Sequence, residues 1–320
     1  MEYCYVPGTG LEVSRLCVGT MNFGSKLDQA QSAHVVDLAL DRGINFFDTA
    51  DAYSDGESER ILGRALGARR QEVVVASKVG FPVGVHSAFS LSRGSILRRL
   101  EESLDRLGTD YLDVYYLHQP DGNTPFEESV MTMAGLVREG KTRYWGLSNY
   151  AAWQFAEAVA LCRRYGWPEP VITESTYNAL TRGLEQEMVP FLREKRRGLA
   201  VFNPLAGGLL TGKHRPGRPT PGTRFENPNY QKRYWRDDNF AAVAALERLA
   251  QERGSSVLEL SLGWCLSRPW VSSVILGFSS AEQFEANLNA GLKGPAGPEV
   301  CSRFNEVWDM ISGGRVPYNR

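Results

Sequence analysis

The chain has 320 residues, 42% of them hydrophobic and 23% charged, with a formal net charge of -1. The composition suits a globular protein with a sizeable core, and the length accommodates two ordinary domains or one large α/β barrel. The balanced charge argues against a nucleic-acid partner, which calls for a basic excess or stripe. The one basic run, "REKRRG" at 193–198, reads as a solvated helix end. Cys4, Cys17, Cys162, Cys265 and Cys301 are scattered, with no C-x-x-C and no zinc-type spacing. No metal is expected, and reduced thiols in a cytoplasmic setting are. The N-terminal stretch has neither the basic nor the apolar region of a signal peptide, and no apolar run reaches the ~18 residues of a membrane span.

In chain order, "EYCYVPGTGLEVS" reads as a hairpin with a Gly-Thr-Gly turn. Short, mostly apolar runs follow at 15–19, 44–50, 72–79, 111–118, 142–148, 170–176, 199–203 and 272–277. Such runs suit strands covered on both faces. Amphipathic segments lie between them. The first opens with Asp28 and Gln31 at capping-box spacing, and several stop at a glycine. Eight strands alternating with helices predict one parallel (β/α)8 TIM barrel over 1–320, with the N-terminal hairpin plugging one end. A doubly wound sheet would need G-x-G-x-x-G after its first strand, and "GTMNFG" has its glycines elsewhere. The least regular region, 213–235, is a long Pro-, Gly- and Arg-rich loop after the seventh strand, of the kind that is usually functional.

Chemistry in such a barrel sits at the C-terminal strand ends. There the sequence places Asp48, Lys78, His118, Ser148, Asn149, Glu174 and Asn203, with Tyr53 in the loop after the second barrel strand. Each alone has a structural reading, such as a cap, a rim cation or a turn bond. Several converging on one rim are harder to explain that way, because unpaired buried charges are costly. Together they make a proton-transfer site. Asp48 would pair with Lys78, and the ammonium would favour the Tyr53 phenolate and lower its pKa. His118 would orient the phenol or the substrate oxygen, and Tyr53 would protonate a carbonyl. The side chains supply no hydride, so a cofactor must.

The motifs "GTMNFG", "GINFFDTADAYSDGESERILGRAL", "SKVG", "DVYYLHQPD", "YWGLSNY", "YNALTR", "NPLAGGLLTGK" and "VILGFSSAEQFEANL", in this order, span essentially the whole chain. In them the chain resembles the aldo-keto reductases, and within that family it looks nearest to the aflatoxin-aldehyde-reductase branch and the potassium-channel β subunits. The resemblance implies an Asp48-Tyr53-Lys78-His118 tetrad and an NADPH extended across the barrel mouth. It puts Gly19, Thr20 and Met21 at the cofactor site, Ser148 and Asn149 on the nicotinamide carboxamide, and Phe202 stacked on the ring. Asn203, Pro204 and Leu205 would strap the pyrophosphate with Lys213 and Arg224 as cations. Gly277, Ser279, Gln283 and Asn287 would hold the adenosine 2'-phosphate end, where Ser280 and Gln283 also fit a plain capping box. Glu174 departs from the family, which usually has Gln there to serve the carboxamide. If ionised it cannot donate to that carbonyl, and it would favour the oxidised nicotinamide; partial protonation is the other expectation. Met21, Phe81, Trp235, Arg233 and Arg320 are candidate substrate walls or anion-attracting groups.

The expected function is reduction of an aldehyde or ketone, sugar-like or polyketide-like, by NADPH, with a small-molecule carbonyl as partner and an oligomer compatible. A regulatory subunit like the channel β subunits, which keep the tetrad, is the alternative. A third reading starts from "NPLAGGLLTGKH" at 203–214, which nearly matches the G-x-x-x-x-G-K-[ST] loop of NTPases. It fails because His214 replaces the required hydroxyl and the prolines after it forbid a following helix.

Overall fold

The computed structural model describes residues 1–83, 90–219 and 221–312. Strands β1 (Tyr3–Tyr5) and β2 (Glu12–Ser14) form the antiparallel N-terminal hairpin. Eight further strands follow: β3 (Leu16–Gly19), β4 (Phe46–Asp48), β5 (Val74–Val79), β6 (Leu112–Leu117), β7 (Thr142–Ser148), β8 (Ile172–Thr176), β9 (Gly198–Phe202) and β10 (Ser273–Leu276). All pair in parallel and close in the order β10-β3-β4-β5-β6-β7-β8-β9. Each predicted strand is present: β7 has its predicted bounds, β9 is shifted by one residue toward the N-terminus, and the others are trimmed.

Period-two alternation sorts the strand side chains between two cores. Inside the barrel lie Cys17, Phe46, Val74, Ala76, Val114, Tyr116, Ile172, Ala200 and Ile275. The hairpin residues Val6, Leu11 and Val13 join this cluster and seal its floor. The intervening residues, among them Val18, Phe47, Val75, Tyr115, Trp145, Leu199 and Val274, face outward into the larger core beneath the helices. Being buried on both faces is why the strands read as continuous apolar runs.

The helical layer comprises α1 (Gln29–Asp41), α2 (Glu57–Leu66), α3 (Arg93–Leu107), α4 (Phe126–Arg138), α5 (Ala152–Tyr165), α6 (Met188–Lys195), α7 (Pro228–Tyr234), α8 (Asp237–Glu252), α9 (Val257–Leu266), α10 (Ala281–Gly291) and α11 (Pro298–Ser312). The Asp28–Gln31 capping box opens α1 as expected. Gly108 and Gly166 cap α3 and α5 in the left-handed conformation; α6 instead ends on a left-handed Arg196. The loop after β9 is not irregular throughout. Asn227 caps α7 by accepting from the Asn229 amide, and Pro228 occupies its first turn, where a missing N–H costs nothing. Among the described residues, no helix is long and apolar enough to cross a membrane.

Candidate functional site

The same alternation that builds the barrel interior delivers the site. Two residues beyond inward-facing Phe46 stands Asp48; beyond Ala76, Lys78; beyond Tyr116, His118; beyond Ile172, Glu174; beyond Ala200, Phe202. The apolar floor thus turns polar at the inward position reached by four of these strands, and on β9 it ends in the aromatic Phe202.

Lys78 is at the centre of that ring and is fully buried. Its Nζ donates to Asp48 Oδ1 at 2.7 Å and Oδ2 at 2.6 Å, and to the Thr49 carbonyl at 2.9 Å. It also reaches the Tyr53 phenol oxygen at 3.3 Å and Glu174 Oε2 at 3.4 Å. Burial pulls the ammonium's pKa down, but Asp48, Glu174 and Tyr53 outweigh it and hold the group well above the lysine range. Two carboxyls share this one cation. Burial raises both, and the neighbouring Asp48 charge adds to the rise of Glu174, which stands well above the carboxylate range, while the pull of Lys78 limits the rise of Asp48.

The expected lowering of the Tyr53 pKa is corrected here. Burial pushes the phenol up, and Asp48 and Glu174 add to the rise, so the pull of Lys78 is overcome. The phenol is therefore protonated at neutral pH. Because Lys78 donates to the phenol oxygen, the phenol's own proton is left free for another acceptor. The Tyr53 and His118 rings meet edge-on with centroids 6.0 Å apart, and Phe81 closes on His118 at 4.5 Å. Burial first, then Lys78 and Arg99, hold the imidazole well below its usual pKa, so His118 is neutral. Among the described residues, its buried Nδ1 has no hydrogen-bond partner.

Loop geometry sets the neighbouring rim. Asn149 adopts a left-handed φ of 63° and donates through Nδ2 to the His118 carbonyl and to Ser148 Oγ, both at 3.0 Å. Asn203, with φ 59°, accepts from the Gly207 amide and donates to the Tyr234 hydroxyl at 2.7 Å. Thr20 is buried and bonds the Asp48 carbonyl and Ser58, so it anchors β4, while Met21 beside it is exposed. Gly19 packs so closely on β10 that a Cβ would lie 2.7 Å from Ile275.

Leu205 and Ala206 start a turn in which Gly207 and Gly208 both have positive φ, after Pro204 leaves β9. A Cβ on Gly208 would come within 4.0 Å of Lys213 Nζ, and one on Gly277 within 3.7 Å of Arg224 Nη2. Arg224 bonds the Tyr230 hydroxyl at 2.9 Å, a contact within the β9 loop. At the start of α10, Ser280 caps the helix, but the Gln283 side chain accepts from Ser279 N and Oγ rather than completing the capping box. Asn287 donates to the Gly277 carbonyl at 3.0 Å. Two glycines, each with a cation within about a Cβ's contact distance, and an imidazole nitrogen unpartnered among the described residues are chemically compatible with a ligand bearing phosphates and a polar head.

Trp235 packs against Phe225, Phe240 and His214 and bonds the Gly217 carbonyl, a cluster between the β9 loop and the start of α8 that contains none of Asp48, Tyr53, Lys78 and His118. Arg320 lies outside the described residues. Sequence reasoning missed a second set of buried charges just outside the barrel. Asp51 pairs with Arg99, whose Nη2 also bonds the Phe81 carbonyl at 2.5 Å; Glu59 bonds Arg106 at 2.6 Å and Ser77 at 2.5 Å. Burial pushes Asp51 up to about 7 against the pull of Arg99.

A sequence model of the Aldo/keto reductase family matches residues 15–309. Among curated proteins, aflatoxin B1 aldehyde reductase member 2 of Rattus norvegicus is 38% identical, with 96% of this chain and 86% of the relative covered. Aldo-keto reductase family 7 member A3 of Homo sapiens is 38% identical, covering 92% and 94%. A probable voltage-gated potassium channel subunit beta of Oryza sativa subsp. japonica is 37% identical, covering 91% of each.

Proposed function

This chain belongs to the aldo/keto reductase family of oxidoreductases, and we propose on that premise that it reduces an aldehyde or ketone to an alcohol with NADPH, Tyr53 being the proton donor. The observation that carries the reading is the Lys78–Tyr53 contact of 3.3 Å with Asp48 behind it. A protonated phenol whose oxygen already accepts from an ammonium has its proton directed away, toward a substrate oxygen. As that proton leaves, the ammonium stabilises the developing phenolate without having to move. Asp48 fixes Lys78 in place. Neutral His118 offers an N–H or a lone pair beside the phenol and orients the carbonyl.

When bound, NADPH supplies the hydride. Ser148, Asn149 and Glu174 are the polar groups available to its carboxamide, and Phe202 the aromatic face for its ring. Lys213 and Arg224, with Gly208 and Gly277, are the groups for its phosphates, and Gln283 and Asn287 for the adenosine end. Carbonyl reduction is also what the names of the aldehyde-reductase relatives state of those proteins. The channel-subunit relative supports a second reading, an NADPH-binding regulatory subunit.

An assay of NADPH oxidation against a carbonyl panel separates them. The reductase reading expects turnover with at least one small carbonyl and a fall of about 10²–10⁴-fold in kcat for Tyr53→Phe. Turnover that survives the substitution overturns the role of Tyr53, and NADPH binding without turnover favours the regulatory reading.

A further inference from the structure

The charge balance of the barrel mouth leaves Glu174 unexplained. Asp48 alone neutralises Lys78, meeting its Nζ with both carboxylate oxygens. Glu174 adds a second buried carboxyl 3.4 Å from the same ammonium and interacts with the Asp48 carboxyl, but among the described residues no donor is in hydrogen-bonding geometry with its Oε2. The titratable groups that face it are Asp48 from β4, Lys78 from β5, Cys17 from β3, Tyr116 from β6 and Tyr53 from the loop after β4. Lys78 is the one cation in that set. Tyr116 is also buried with an unpartnered hydroxyl. Its ring lies across β7 because Gly146 has no side chain, where a Cβ would come within 2.7 Å of it. The surroundings are therefore buried and hold two carboxyls against one ammonium.

We propose that Glu174 is a charge sensor for the cofactor: it keeps its proton in the free site and releases it when an oxidised, positively charged nicotinamide lies before it, so that NADP+ binds with proton release and NADPH without. The inference rests on the NADPH-dependent reading above. Hydride and proton add to the adjacent carbon and oxygen of one carbonyl, and the proton comes from Tyr53, within 3.3 Å of Lys78. The nicotinamide must then lie within roughly 10 Å of the Lys78–Glu174 pair. At that separation and an effective dielectric of about 20, a positive ring favours an ionised carboxylate by tenfold or more. The burial that raises Glu174 supplies the neutral starting state. The consequence is a preference for NADP+ over NADPH that grows by about tenfold as pH rises, which biases the site toward alcohol oxidation in alkaline solution. A glutamine at this position would donate and accept hydrogen bonds equally well but could not make this switch.

Turnover is a poor probe, because reduction consumes a proton and is disfavoured at high pH regardless. Calorimetric titration in two buffers of different ionisation enthalpy counts the protons directly. The range is from about pH 7 to about pH 9.5, above the second phosphate pKa of about 6. Wild type is expected to release a substantial fraction of a proton with NADP+ and none with NADPH at some pH in that range. Glu174→Gln is expected to release none with either, and Tyr53→Phe to retain the wild-type release. Equal proton counts for the two nucleotides in wild type throughout the range overturn the proposal without any variant. Release that persists in Glu174→Gln also overturns it, by assigning the proton elsewhere. If neither nucleotide binds, the NADPH-dependent reading itself fails and the proposal falls with it.

Discussion

Two sets of buried charges lie within a strand's thickness of each other, and they are balanced differently. Outside the barrel, Arg99 and Arg106 face Asp51 and Glu59, two cations for two carboxyls, with Ser77 completing the bonds of Glu59. Inside, Lys78 alone faces Asp48 and Glu174. The outer set ties α2 and α3 to the strand ends and holds the Phe81 carbonyl. The inner set cannot be satisfied with every group charged, so it must store a proton. Each outer carboxyl meets a guanidinium, although burial still pushes Asp51 up to about 7, whereas Glu174 has no cation of its own.

The comparison is sharpened by breaking each set in turn. The larger effect is expected outside. Arg99→Leu leaves the Asp51 carboxyl buried and alone, and should lower unfolding free energy by about 3–5 kcal/mol in urea denaturation. A loss under about 1 kcal/mol would show that the outer network is not what holds the helices to the rim.

Inside, the effect expected per pH unit is smaller, and it has a sign. Glu174 keeps its proton in the fold but loses it in the unfolded chain above its ordinary value of 4.5. Over the interval between the unfolded and folded values the native state binds more protons, so stability falls with rising pH by about 1.4 kcal/mol per unit from this group. Glu174→Gln removes that dependence. Compared at about pH 5 and about pH 8 by urea denaturation, the variant should gain on wild type as pH rises; parallel curves would contradict a buried neutral carboxyl.

What was legible in the sequence follows from periodicity. The strands were visible because burial on both faces makes them apolar, and Asp48, Lys78, His118 and Glu174 were visible because they interrupt those runs at their C-terminal ends. The outer network was not, because Asp51, Glu59, Arg99 and Arg106 sit on separate elements with no common spacing. The direction of the Tyr53 pKa was misread for a related reason: proximity to Lys78 could be argued from strand position, but not the depth of burial that outweighs it. In the β9 loop, Asn227-Pro228 carried a helix-start signal that the surrounding Pro- and Gly-rich composition obscured.

The central claim is that the inner set delivers a proton while a hydride arrives on the same carbonyl, from a nicotinamide with one face covered by Phe202. The most direct measurement uses NADPH deuterated stereospecifically at C4, with product alcohol analysed by mass spectrometry. The account predicts one deuterium on the former carbonyl carbon from one C4 stereoisomer and none from the other, with transfer slowed about 10²–10⁴-fold in Tyr53→Phe. Label passing equally from both stereoisomers, or an alcohol formed without label from either, would contradict it.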